Sequence, residues 1–248
     1  MSAALEAVGL ARRFGGLVAV AEVSLSLSVG TLHAVIGPTG AGKSTLVNLL
    51  GGELVPSRGT VRLGGRDVTA WPTWRRAAGG IGRTFQRTNV MRDLTVFENV
   101  RLAAQVPGFT AGRWLRRATR DPRPIAGAQA ALSRVGFGDA AAAVAGTLSH
   151  GQLRLLEIAI ALAAGPTVLL LDEPLAGMGA EEGERLAALL KALARDHAVL
   201  LIEHDMDVVF AVADTLTVMV DGRVLEHGPP ARIRASAAVR EAYLGHPA

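Results

Sequence analysis

Val23, Leu25, Leu27 and Val29 alternate strictly with Ser24, Ser26 and Ser28, a period of two that gives a strand one dry and one wet face. Gly30 ends that strand, so the N-terminal stretch reads as β structure. Leu32-His33-Ala34-Val35-Ile36 is a short apolar run, followed by a Gly-rich turn and by Thr45 to Leu50 with helical spacing. Gly51-Gly52 and Pro56 stop that helix. Residues 59–68 read as a hairpin turning at Gly64-Gly65. Over 87–147 the character changes to helix with breaks: Thr95 and Glu98 have capping-box spacing ahead of Val100, Leu102, Ala103 and Ala104. Pro107-Gly108 ends that helix, a basic helix follows, and Ala126 to Val135 is a third. From residue 153 the order is helix (153–164), strand (167–171), helix (181–195), strand (198–203), helix (205–212) and strand (215–220), then a turn at Asp221-Gly222 into a short strand, Arg223 to Glu226. Helices alternating with five-residue apolar runs predict βα units and a parallel sheet. The expected fold is α/β, one core with a mostly helical insertion.

Composition narrows the class. The chain has 248 residues, enough for one large α/β domain, with 50% hydrophobic and 19% charged residues; roughly 25% charged is usual, so disorder is excluded. The longest apolar stretch, Leu153 to Leu171, is interrupted by Arg154, Glu157, Gly165 and Pro166, which argues against a bilayer span. Arg12 and Arg13 follow a mixed segment and precede no apolar run, so a secretory signal is not expected. The absence of Cys removes disulfides and thiolate metal sites and fits a reducing compartment. The net charge is only +4, and nearly every basic residue is Arg, Lys43 and Lys191 excepted, which accounts for the pI near 10.5 without invoking nucleic acid. A positive mean hydropathy in a chain without a span suggests a surface partly covered by a partner.

The chemistry starts at Gly37-Pro38-Thr39-Gly40-Ala41-Gly42-Lys43-Ser44-Thr45, a P-loop pattern placed after a strand and at a helix start. Its glycines let backbone N–H groups turn inward as an anion nest at a positive helix end. Lys43 would reach the β- and γ-phosphates, and Ser44 would offer its hydroxyl to Mg²⁺. Val168-Leu169-Leu170-Leu171-Asp172-Glu173-Pro174 supplies a doubly buried strand with two acids at its C-terminal end, where open α/β sheets bind ligands. Asp172 would hold Mg²⁺ and Glu173 would polarise the attacking water.

With these motifs in order, the chain resembles the ATP-binding subunits of ABC transporters over essentially its whole length. Leu148-Ser149-His150-Gly151-Gln152 resembles the signature motif, Gln86 in Thr84-Phe85-Gln86 the Q-loop, Leu175-Ala176-Gly177-Met178 the D-loop and His204 the switch histidine. Phe14 matches the A-loop aromatic that stacks on adenine, although simple packing explains it equally well. The resemblance implies a P-loop NTPase core with a parallel sheet (1–86 and 153–248), an N-terminal antiparallel β subdomain and an inserted helical subdomain (87–152). It implies Glu173, His204 and Gln86 as catalytic residues, and Ser44, Gln86 and Asp172 around the metal. Ser149, Gly151 and Gln152 would meet the nucleotide held by a second ATP-binding subunit, identical or different. His150 stands where the family usually has glycine; groups resembling the branched-chain amino acid importers often carry a bulky residue there, so it reads as a subgroup mark, and it is a poor metal-ligand candidate because no second His or acid has suitable spacing.

Phe14-Gly15-Gly16-Leu17, the run 94–100, Glu203-His204-Asp205-Met206 and Ala242-Tyr243-Leu244-Gly245 resemble the branched-chain amino acid importer subunits, while Met178 resembles the urea importers. The resemblance therefore implies an ATPase powering uptake of branched-chain amino acids or similar solutes, bound through permease subunits at the cytoplasmic face of the inner membrane. The alternatives are a urea or amide importer, a lipopolysaccharide-export ATPase, a soluble ABC ATPase acting on DNA or the ribosome, and a regulator without turnover. Nucleic acid is not an expected partner. Arg113, Arg116, Arg117 and Arg120 share one helical face, read as solvated or as meeting anionic lipid or a membrane partner.

Overall fold

The computed structural model describes residues 3–86, 89–106 and 122–244, so the basic face expected over 113–120 lies outside the described residues. The chain opens with β1 (Leu5–Phe14) and β2 (Leu17–Leu27). β3 (Leu32–Ile36) runs through the P-loop into α1 (Lys43–Gly51). β4 (Arg58–Leu63), β5 (Arg66–Asp67), α2 (Thr73–Ala78) and β6 (Ile81–Arg83) follow. The helical part contributes α3 (Val96–Ala103), α4 (Pro122–Arg134) and α5 (His150–Ala163). Then come β7 (Val168–Asp172), α6 (Ala180–Ala194), β8 (Ala198–Ile202), α7 (Met206–Val212), β9 (Thr215–Val220), β10 (Arg223–Gly228), α8 (Pro230–Ala235) and α9 (Ala237–Leu244).

The strands form two sheets. An antiparallel sheet is ordered β2-β1-β4-β5, and a six-stranded sheet is ordered β10-β9-β3-β8-β7-β6, parallel except for β10. Every residue of β3, β7 and β8 is buried, because both faces of these strands are covered. Their alternate residues enter different cores. Leu169, Leu171, Val199 and Leu201 join the helices α3 to α6, while Val168, Leu170, Leu200 and Ile202 pack with α1 and the antiparallel sheet. The C-terminal ends of β3, β7 and β8 consequently share one edge, and the site is built there.

The expected elements are present with informative shifts. The strand expected to continue to Val29 ends at Leu27, which pairs with Leu5 where β1 begins; Val29 lies beyond the ladder and is exposed. The helix expected from 153 starts at His150, because Ser149 and Gln152 form a full capping box. At α3 the box is only half made: Thr95 Oγ1 accepts from the Glu98 N–H, but the Glu98 carboxylate turns to Arg101. The pattern gave no sign of α2, whose Arg76 is 1% exposed. Arg76 donates to the carbonyls of Leu49 and Leu50 at 2.7 Å each, satisfying the C-terminal groups of α1 with a buried guanidinium.

Candidate nucleotide site

The P-loop closes only because two of its positions lack side chains. A Cβ on Gly42 would overlap the Ala19 carbonyl oxygen, and one on Gly37 would overlap that of Met219. Gly40 and Gly42 also adopt φ of +83° and +94°, which a side chain would strain. The loop is thus wedged between β2 and β9, and it opens onto a cleft of about 510 Å³. Thr39 to Thr45, Phe14, Gln86 and Glu173 all line this cleft. Lys43 Nζ donates to the carbonyls of Gly37 at 2.7 Å and Pro38 at 3.0 Å. Burial pulls the Lys43 ammonium below the usual lysine range, against the opposing pull of Glu173 and Asp172. Phe14 is 43% exposed at the cleft rim, with the Arg12 guanidinium 4.8 Å from its ring centroid.

At the end of β7, Asp172 is 3% exposed, and its Oδ1 is buried with no hydrogen-bond partner. Its Oδ2 lies 4.0 Å from Arg83 Nη2. Burial holds this carboxyl above the usual range, with Arg83 opposing and Glu173 reinforcing the shift. A buried acid whose oxygen has no hydrogen-bond partner has donor chemistry that suits a cation. Glu173 has φ +48°, a left-handed conformation that non-glycine residues rarely hold and that recurs at functional sites. Its N–H donates to Ile202 O at 2.9 Å, which hooks the turn to the end of β8.

The end of β8 carries Glu203 and His204. The His204 side chain is 67% exposed, with Nδ1 3.7 Å from Glu203 Oε2. His204 is not among the residues lining the cleft, although it leaves the same sheet edge. The Gln86 backbone is fixed from α5: Arg154 donates to Phe85 O at 3.0 Å and Gln86 O at 2.9 Å while paired with buried Glu157 at 2.8 Å.

The model of the ABC transporter family matches residues 20–176, and that of the branched-chain amino acid ATP-binding cassette transporter matches residues 223–248. The chain is 40% identical to the high-affinity branched-chain amino acid transport ATP-binding protein BraF of Pseudomonas aeruginosa, covering 97% of each chain. It is 38% identical to the corresponding protein LivG of Escherichia coli over 96% of each. The chain belongs to the ABC transporter family. Among solved structures, an ATP-binding cassette of an ABC transporter in its ADP conformation superposes with a TM-score of 0.88 at 29% identity, covering 99% of this chain and 100% of that one. A nucleotide-free cassette superposes with a TM-score of 0.87 at 28% identity. As an ATP-binding cassette the chain is an ATPase, and no helix among the described residues is long and apolar enough to cross a membrane.

The residues that resemble the signature motif lie at the start of α5, outside the cleft lining. Ser149 caps the helix, accepting from the Gln152 N–H at 3.2 Å, while Gln152 Oε1 accepts from the Ser149 N–H at 2.9 Å. The Ser149 hydroxyl hydrogen stays available for donation. A Cβ on Gly151 would lie 2.8 Å from the Glu182 carboxylate of α6. Sequence reasoning passed over three supports of this ABC site. Arg154 fixes the Q-loop as described. Glu203, 1% exposed, accepts from the N–H of Leu175 at 2.8 Å and of His204 at 3.3 Å, and burial raises its carboxyl above the usual range. Tyr243 of α9 has its hydroxyl pushed up to about 12 by burial, against a hydrogen bond to the Gly37 backbone. Its signal was the C-terminal run around it, read only as a mark of subgroup.

Proposed function

We propose that this ATPase powers an importer of branched-chain amino acids from the cytoplasmic face of the membrane, bound there through permease subunits. The family match over residues 223–248 and the named relatives favour this cargo over urea or exported lipid. The observation that carries the catalytic reading is the strained Glu173, held at φ +48° on the rim of the phosphate cleft beside Lys43 and Gln86.

In this reading the N–H groups of the P-loop and the α1 N-terminus cradle the triphosphate, with Lys43 exchanging its carbonyl partners for β- and γ-phosphate oxygens. Phe14 offers its exposed ring to adenine. Glu173 accepts a proton from the water that attacks the γ-phosphorus; the bond to the bridging oxygen breaks, giving ADP and phosphate. Gln86 and His204 orient water and γ-phosphate. The orphaned Asp172 Oδ1 fits a bound cation, and Asp172, with Ser44 and Gln86, would hold Mg²⁺. That ion would neutralise phosphate charge.

Ser149, Gly151 and Gln152 lie outside the cleft, so they serve the nucleotide of a second ATP-binding subunit, the two cassettes closing around two ATP molecules. Hydrolysis then removes the ligand that joins the pair, which opens it and drives the permeases through the Gln86-linked helices.

The test is ATP turnover by the assembled transporter. Glu173→Gln should nearly abolish turnover while nucleotide still binds. Unchanged turnover would remove Glu173 from its role, and uptake indifferent to leucine-type substrates would remove the cargo assignment.

A further inference from the structure

The one residue that departs from the signature pattern makes a contact that glycine could not. His150 Nε2 lies 3.1 Å from the carbonyl oxygen of Ala176 in the D-loop. A carbonyl only accepts, so Nε2 carries the hydrogen in this bond. The imidazole also rests on Gly177: a Cβ there would lie 3.2 Å from Nε2 and 3.3 Å from Cδ2. Gly177 has φ +77°, so side chains are disfavoured at that position for backbone reasons as well.

The residue that His150 grips is bonded in turn, through its own N–H, to the turn that carries Glu173. The Ala176 N–H donates to Glu173 O at 3.3 Å, and the Leu175 N–H is held by Glu203 at 2.8 Å. The path is short: imidazole to Ala176 carbonyl, Ala176 amide to Glu173 carbonyl. Four residues along the same helix face, Arg154 grips the Gln86 backbone. The first two turns of α5 therefore hold the Q-loop with one side chain and the D-loop with another.

We propose that His150 is a positioning residue for ATP hydrolysis: it ties the signature turn to the D-loop, so that displacement of the α5 N-terminus is passed to the backbone that orients Glu173. This rests on the functional reading above and adds to it an intrachain link that the usual glycine lacks. His150 touches no reacting atom; it acts through Ala176. A ring that merely fills space would serve as well as a phenyl group, whereas a strut needs the Nε2 donor, which the amide nitrogen of glutamine can place at a similar reach.

The experiment compares wild type, His150→Gly, His150→Phe, His150→Gln and Glu173→Gln in the complete transporter reconstituted in vesicles, with kcat and KM for ATP measured separately. His150→Gly and His150→Phe should each lower kcat about five- to tenfold, the worth of one hydrogen bond, with KM unchanged within about twofold. His150→Gln should return kcat to within about twofold of wild type by restoring the donor. His150 is exposed, so all three variants should fold, and their melting temperatures check this. Wild-type kcat in His150→Phe, no recovery in His150→Gln, or a loss confined to KM would each overturn the proposal. A wild-type complex without turnover, or full turnover in Glu173→Gln, would instead overturn the functional reading. Normal wild-type turnover that vanishes in Glu173→Gln but ignores His150 overturns the strut alone.

Discussion

In the proposed reading the phosphate cradle and the signature turn each offer a helix N-terminus to phosphate, yet they are built in opposite ways. The cradle is braced from behind: Gly42 and Gly37 are pressed against the carbonyls of Ala19 and Met219, and the strand that feeds it is buried throughout. The signature turn is open. Ser149 and His150 are exposed, and the nearest obstruction to Gly151 is the flexible end of Glu182. The cradle needs only its own chain to be complete. The signature turn faces outward, and in the proposed reading its use depends on the nucleotide of a second subunit. In that reading one chain carries both a rigid grip and an offered contact.

The largest effect expected to sharpen that contrast comes from the cleft. Glu173→Gln should lower kcat about a hundredfold to ten-thousandfold, the range for losing a general base, while equilibrium nucleotide binding to the isolated chain persists. A titration with a fluorescent ATP analogue separates the two.

Acid should weaken the cradle side selectively. His33 lies on β3, 3% exposed, with Nε2 2.8 Å from Thr217 Oγ1 and its ring 5.4 Å from that of His227. Burial, with His227 adding to it and a backbone hydrogen bond at Ser26 opposing, lowers its pKa from 6.5 to about 4. The folded chain resists a proton that the unfolded chain takes up. This contribution to stability is therefore complete above about pH 6.5 and is lost as pH falls towards 4. At roughly 1.4 kcal/mol per unit the loss is about 3 kcal/mol. Denaturant unfolding at several pH values measures it, and His33→Gln should flatten the slope. A slope unchanged by that substitution would exonerate His33.

A smaller change breaks the comparison at matched positions. Gly42→Ala should weaken nucleotide binding by the isolated chain at least about tenfold, because both backbone strain and a carbonyl clash must be relieved. Gly151→Ala, where only the end of Glu182 must swing aside, should leave that binding within about twofold of wild type, since a flexible carboxylate moves cheaply. Equal effects at the two glycines would show that the turns are not built differently. The smallest effect belongs to Ser149→Ala, which removes a helix cap and should cost about 1 kcal/mol of stability without touching nucleotide binding by the single chain. Thermal melting with and without ATP reports both.

How much of this was legible follows from the range of each interaction. The β3–P-loop–α1 passage, the β7 strand with its two acids and the alternation of helix and strand beyond residue 153 are encoded by spacing along the chain, and the sequence pattern located them. The resemblance grouped the P-loop, Gln86 and Glu173, which line one cleft; Phe14, which the sequence left between packing and adenine, lines it too. What stayed hidden depends on partners far apart in sequence. Arg76 looks like a surface residue until α1 brings the carbonyls of Leu49 and Leu50 to it. Arg154 looked like an interruption in an apolar helix, and its role appears only once the Q-loop returns to meet it. His150 is the sharpest case. Its side chain was legible as an anomaly, but the carbonyl that gives the anomaly a purpose lies in the D-loop, beyond the whole of α5 and β7.

Lys43 shows what such a cradle gains from its own chemistry. Its ammonium rests on two neutral carbonyls of the very loop that an anion would occupy. In the proposed reading the charge acts as a placeholder: it props the loop through two of its carbonyls and would exchange them for an arriving phosphate. Exchange of a weak neutral partner for a charged one costs little rearrangement, so capture can be fast while release waits on the chemistry.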